Sequence, residues 1–174
     1  MNSKLRLLGS LLVLTASLAV TGTVMDARGG EMGGTVAADG IVRVSSAYGF
    51  AETIERLKAD IAAKKIQFFL AVDQASLAAA AGITLKPSTL LIFGNPPLGT
   101  QFITSRPEAG LDWPVRLLVS ETGAGQVQLS YTDFGWIARR HGITDRDAQF
   151  RKASEVIASI TGSVTTRNQA ASAN

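Results

Sequence analysis

The chain has 174 residues, 46% hydrophobic and 18% charged, enough for one domain with a real core. It has no cysteine and a single histidine, which excludes disulfides, thiolate nucleophiles, lipoprotein attachment and His-rich zinc sites within one subunit. Its formal charge of +3 overstates its basic character, because without Lys4 and Arg6 there are 15 basic residues against 14 acidic ones, and no basic stripe suits nucleic acid.

Lys4 and Arg6 precede an apolar run that begins at Leu7-Leu8 and continues through Val20. A short positive region followed by an apolar core predicts a secretory signal over residues 1–24, and hence a periplasmic or secreted protein. Small residues at Ser17-Leu18-Ala19 and at Val20-Thr21-Gly22 offer two cleavage sites. An uncleaved membrane anchor is the alternative, since residues 7–24 nearly reach spanning length. Residues 25–40, rich in Gly, Ala and short polar side chains, read as a flexible linker.

A single domain is expected over residues 41–164. Ile41-Val42-Arg43-Val44-Ser45 reads as a first strand. Residues 51–65 read as a helix, with Ile54, Leu57 and Ile61 on one stripe and Glu52 spaced to pair with Arg56. Ile66, Phe68, Leu70 and Val72 alternate with their neighbours, predicting a strand with one strongly apolar face. Residues 76–81 read as a short alanine-rich helix closed by Gly82. Thr89-Leu90-Leu91-Ile92-Phe93 reads as a strand covered on both faces. Gly94-Asn95-Pro96-Pro97 stops it, because proline cannot continue a ladder, and Gly99 suits a second turn. The result is a rigid loop delivered to a sheet edge, with residues 103–112 as an irregular excursion.

Val115, Leu117 and Val119, then Val127, Leu129 and Tyr131, alternate on either side of Thr122-Gly123-Ala124-Gly125, predicting a hairpin. Residues 134–140 read as a short helix closed by Gly142. Asp145 is placed to cap a last helix in which Phe150, Ala153, Ile157 and Ile160 share a face. Residues 165–174 read as a disordered tail. The order predicts an α+β two-layer sandwich, a mixed or antiparallel sheet with helices on one face. The opposite face of the hairpin, with Leu118, Gln128 and Ser130, lacks a second helical layer, so a homodimer through the sheet or its edge is expected.

Several motifs occur in a specific order. Phe93-Gly94-Asn95-Pro96-Pro97-Leu98-Gly99-Thr100 is followed by Leu111-Asp112-Trp113-Pro114 and by Arg140-His141-Gly142. Glu52-Thr53-Ile54-Glu55-Arg56-Leu57, Val72-Asp73, Ala81-Gly82-Ile83, Leu85-Lys86-Pro87 and Tyr131-Thr132-Asp133 accompany them. The set resembles the family known as domain of unknown function 302, over about residues 41–164. The resemblance implies a shared fold and, as the family's name concedes, no general activity. Many relatives carry His where this chain has Gln74, and Met near the position of Ile103. If either ligates metal or haem in them, this chain lacks that ligand.

The chemistry on offer is sparse. There is no G-x-S-x-G elbow and no phosphate-binding loop, and prolines occupy the Gly94–Gly99 segment where such a loop would need donors. Asp73, Asn95, Thr100 and His141 are the candidate ligand-binding residues; if the strands ending at Asp73 and Phe93 ran parallel, Asp73 and Asn95 would meet at one sheet edge. Three readings follow. The favoured one is a non-catalytic module that binds a small polar ligand or a partner, with no metal and no resident cofactor. The second is a haem or metal carrier using His141, although a histidine in the last turn of a helix equally serves as a C-terminal cation. The third is a small hydrolase or isomerase with Asp73 as base, although an aspartate at a strand end more often caps the next helix. Asp112 reads as a turn residue, Tyr131 as core, and Trp136 as core or a stacking surface.

Overall fold

Period-two apolar patterning produces six strands in the computed structural model, which describes residues 35–165. They are β1 (Thr35–Val36), β2 (Ile41–Ser45), β3 (Gln67–Asp73), β4 (Ser88–Gly94), β5 (Val115–Glu121) and β6 (Val127–Thr132). Five helices accompany them: α1 (Phe50–Ala63), α2 (Gln74–Ala80), α3 (Pro96–Ser105), α4 (Phe134–His141) and α5 (Asp147–Gly162). The sheet is antiparallel throughout, in the order β1-β2-β6-β5-β4-β3. The predicted signal, residues 25–34 of the predicted linker, and residues 166–174 lie outside the described residues. Thr35 and Val36, read as linker, pair with Arg43 and Val42, so the sheet starts earlier than composition suggested.

Register sorts the side chains. One row runs Val44, Leu129, Val119, Thr89, and all four are buried beneath the helices. The neighbouring row on the other face runs Arg43, Ser130, Leu118, Leu90, Val72. Leu57 and Ile61 of α1 are fully buried, as are Leu91, Leu117 and Leu129 of the sheet. Each such side chain contributes about 2 kcal/mol on leaving water, and this fixes which face the helices cover. Phe150 of α5 stacks on Phe102 of α3, with ring centroids 4.1 Å apart.

Five expectations are corrected. The segment after β4 is not a loop: Pro96 and Pro97 open α3, occupying the first helical positions, where a missing N–H costs nothing. Residues 107–111 add a 3-10 turn, so little of the expected irregular excursion remains. β3 is an edge strand whose residues are exposed or half-buried, with a bulge between Phe68 and Leu70 that breaks the period-two face. β4 is covered on one face only, because Leu90 and Ile92 on the other are half-buried. Asp145 does not cap α5; its carboxylate accepts from Ser105 Oγ and pairs with Arg146.

Gly99 is required by packing, not by a turn. A Cβ there would lie 1.7 Å from Trp113 Nε1, inside the indole. Gly99→Ala is expected to destabilise the domain by about 2 kcal/mol, although alanine is the better helix former. Gly162→Ala, which meets nothing within 4 Å, serves as control and leaves the urea midpoint unchanged or raised.

Candidate functional site

Trp113 and Asp112 sit where the 3-10 turn runs into β5, and the two side chains point into different neighbours. The indole of Trp113 lies against Gly94 at the end of β4 and Gly99 in α3. The bulged Phe69 meets it edge-on, with ring centroids 6.3 Å apart. Asp112, its side chain only 3% exposed, accepts from Arg116 Nη2 at 3.1 Å and from Arg140 Nη1 at 3.2 and 3.1 Å. His141 Nε2–H donates to its second oxygen at 2.7 Å. Arg116 also reaches the Leu111 carbonyl at 2.6 Å, and the Arg140 guanidinium lies over Trp136. Two motifs 28 residues apart in the chain, around Asp112-Trp113 and Arg140-His141, thus close one polar cluster.

A small apolar pocket opens beside this cluster. Its volume is about 30 Å³, and Phe93, Leu98, Phe102, Trp113 and Val156 line it. It adjoins an open groove of about 410 Å³ rimmed by Lys64, Asn95, Lys152, Glu155 and Ser159, and the two share Ile66, Asn95, Leu98 and Val156. Asn95 is the residue before α3, and its carbonyl accepts from Leu98 and Gly99. Its side-chain amide makes no cap bond and is exposed on the groove rim. Lys64 is paired with Asp60 at 2.6 Å, and Lys152 lies 3.6 Å from Glu155, so the rim is polar with nearly balanced charge.

The four candidate residues do not form one cleft. β3 and β4 run antiparallel, pairing Asp73 with Thr89 and Gln67 with Gly94. Asp73 and Asn95 therefore lie at opposite ends of the pair, separated by about 20 Å of chain at strand rise. Asp73 caps α2, accepting from Ser76 N at 2.9 Å and Ser76 Oγ at 2.6 Å. Those bonds, the hydroxyl's first, hold its exposed carboxyl below the usual carboxylate range. A general base working near neutrality needs the opposite shift. Thr100 donates to the Pro96 carbonyl at 2.6 Å within α3. His141 is buried against Asp112, so ligation of a haem through Nε2 would have to break that bond. Gln74 accepts from the buried hydroxyl of Ser88 at 2.7 Å, a structural use of that position. Among the described residues, no group of three or more His, Asp or Glu is placed to hold a metal ion.

Lys64, Lys152 and Val156 were not legible as site residues, because nothing local marks them; helices distant in sequence bring them to Asn95. Asp112 carried a signal only in its pairing with Trp113-Pro114.

Residues 42–161 match the family model DUF302, a domain of unknown function, and the chain belongs to that family. The fold is similar to that of an uncharacterized conserved DUF302 protein from Bacillus stearothermophilus, with a TM-score of 0.67 and 16% identity, over 73% of this chain and 99% of the other. The chain is also 41% identical over 104 residues to the fluoride-specific ion channel FluC 1 of Brucella suis biovar 1 and to that of Brucella abortus biovar 1. Those matches cover 60% of this chain, which spans about two fifths of the length of these relatives (41% and 38%). Among the described residues no helix is long and apolar enough to cross a membrane.

Two measurements check the site's electrostatics. Asp112→Ala leaves His141 and Arg140 without their acceptor and is expected to cost about 2–3 kcal/mol in urea denaturation, with Asp112→Asn costing less. Asp73, followed by NMR, is expected to titrate below the unfolded value of about 3.9, so its cap stabilises the fold above that pH and the stabilisation fades as pH falls through the lower folded value.

Proposed function

We propose that this DUF302 protein is an exported, non-catalytic module that holds a small polar ligand in the groove beside Asn95. The observation that carries the reading is the junction of an apolar pocket with a polar-rimmed groove at the start of α3. Ligand sites combine an apolar lining with a few convergent polar groups, and both occur together here. Leu98, Ile66 and Val156 would take the apolar part of the ligand. Asn95, Lys64, Lys152 and Ser159 would orient its polar end. Of the residues singled out in sequence, Asn95 is the one that borders this groove.

The surroundings of Asp73 support a binding role over catalysis, since a capping carboxylate is occupied and too acidic for a base. The likeness to proteins named as fluoride channels also fits a module that accompanies another activity, and it makes fluoride one of the ligands to try. Export rests on the positive and apolar N-terminal residues, Lys4 to Val20.

The test is a thermal-shift screen of the full chain with fluoride, chloride, small carboxylates and amino acids. A ligand present at a hundredfold its Kd is expected to add about 2.7 kcal/mol of stability. Asn95→Ala is expected to weaken the hit, and Val156→Trp, which fills the groove, to abolish it. Hits that survive both substitutions would sink the proposed groove.

A further inference from the structure

Eight large hydrophobic side chains are exposed among the described residues, and six of them lie between residues 68 and 85: Phe68, Phe69, Leu70, Leu77, Ile83 and Leu85. The first three belong to β3, the last strand of the sheet order. An edge strand presents a row of backbone N–H and C=O groups without a ladder partner, a template for another strand. Folds normally blunt such edges with shortness, charge, proline or a bulge that turns the strand away. At the opposite edge, the Asp39–Arg43 ion pair lies beside β1. β3 has seven residues, with no proline and no charge before Asp73. Its bulge, at Phe69, turns that ring onto Trp113 but leaves Leu70 to Asp73 in regular pairing with β4.

We infer that the β3 edge docks a second copy of this chain, antiparallel across a two-fold axis near Leu70, joining two sheets into one. Charge selects this partner and this direction. Lys64 and Lys65 precede the strand and Asp73 ends it. Lys64 is held by Asp60 of its own helix, so Lys65 is the cation presented at that end. A two-fold antiparallel pairing sets each basic end against the partner's acidic end, whereas a parallel copy sets like against like. A two-fold interface is also self-complementary, as one surface meeting itself requires.

The apolar side chains fit the same arrangement. Seven residues of strand span only about 23 Å, short of a stable interface of about 800 Å² per partner by backbone pairing alone. Leu77, Ile83 and Leu85 lie beyond the Asp73 end of β3, and Phe68 and Phe69 lie toward its Gln67 end. The two-fold axis brings the first group of each copy toward the second group of the other. Both helical layers stay on the same side of the joined sheet.

The full chain is expected to sediment as two subunits at micromolar concentration. Leu70→Lys, which sets two lysines side by side at the axis, is expected to raise the dissociation constant at least about tenfold. Lys65→Asp, at a positive-φ position that aspartate tolerates, is expected to weaken the dimer through like charges. Circular dichroism should stay unchanged in both. Hydrogen exchange should slow at the amides of residues 67–73 as concentration rises. A one-subunit mass, or a dimer indifferent to both substitutions, overturns the inference. So does a dimer that leaves β3 exchange unprotected, because it joins through the sheet face or through residues outside 35–165.

Discussion

The side chains of Asp112 and Trp113 are the junction on which the rest of the domain depends. The indole needs a flat, side-chain-free seat, and Gly94 and Gly99 provide it. That contact sets how α3 leaves β4, and so where Asn95 and the groove lie. The carboxylate beside it is removed from water and is tolerable there only because Arg116, Arg140 and His141 all donate to it. Those donors fix the end of α4 against the start of β5. Two adjacent residues thereby tie two sheet strands to two helices. The most recognisable motifs of the chain are parts of this junction.

The sheet divides its exposed face by chemistry. Across β2 and β6 that face carries Arg43, which pairs with Asp39, together with Ser45, Ser130, Gln128 and Thr132, and one apolar residue, Ile41. Across β5, β4 and β3 it carries Leu118, Leu90, Ile92, Leu70 and Val72, with Arg116, Ser120 and Ser88 beside them. The helices cover the opposite face, where Leu57, Leu91, Leu117 and Leu129 are fully buried. The more apolar half of the open face grades into the exposed edge at β3, while the polar half ends at β1.

The hairpin of β5 and β6 was legible because alternation and a Gly-rich turn act locally, and α1 because its stripe repeats at helical period. The helix α3 was hidden by Pro96-Pro97. A proline pair reads as a stop in a strand, yet is acceptable in the first turn of a helix, and only the packing of Phe102 on Phe150 decides between them. The exposure of β3 was hidden for a related reason. Alternating apolar residues identify a strand but say nothing of what lies on either side of it. The proposed meeting of Asp73 with Asn95 failed on strand direction, which no residue in either strand encodes.

The α+β class, the helix stripes, the hairpin and the family resemblance were written in the sequence, because each rests on short-range periodicity or on ordered motifs. Strand order, the edge position of β3, the burial of Asp112 and the groove at Asn95 were decided by tertiary structure. They join residues such as Asp112 and His141, or Asn95 and Lys152, that are far apart in the chain. What brings those pairs together is the burial of apolar surface by the whole domain, a property that no local stretch contains.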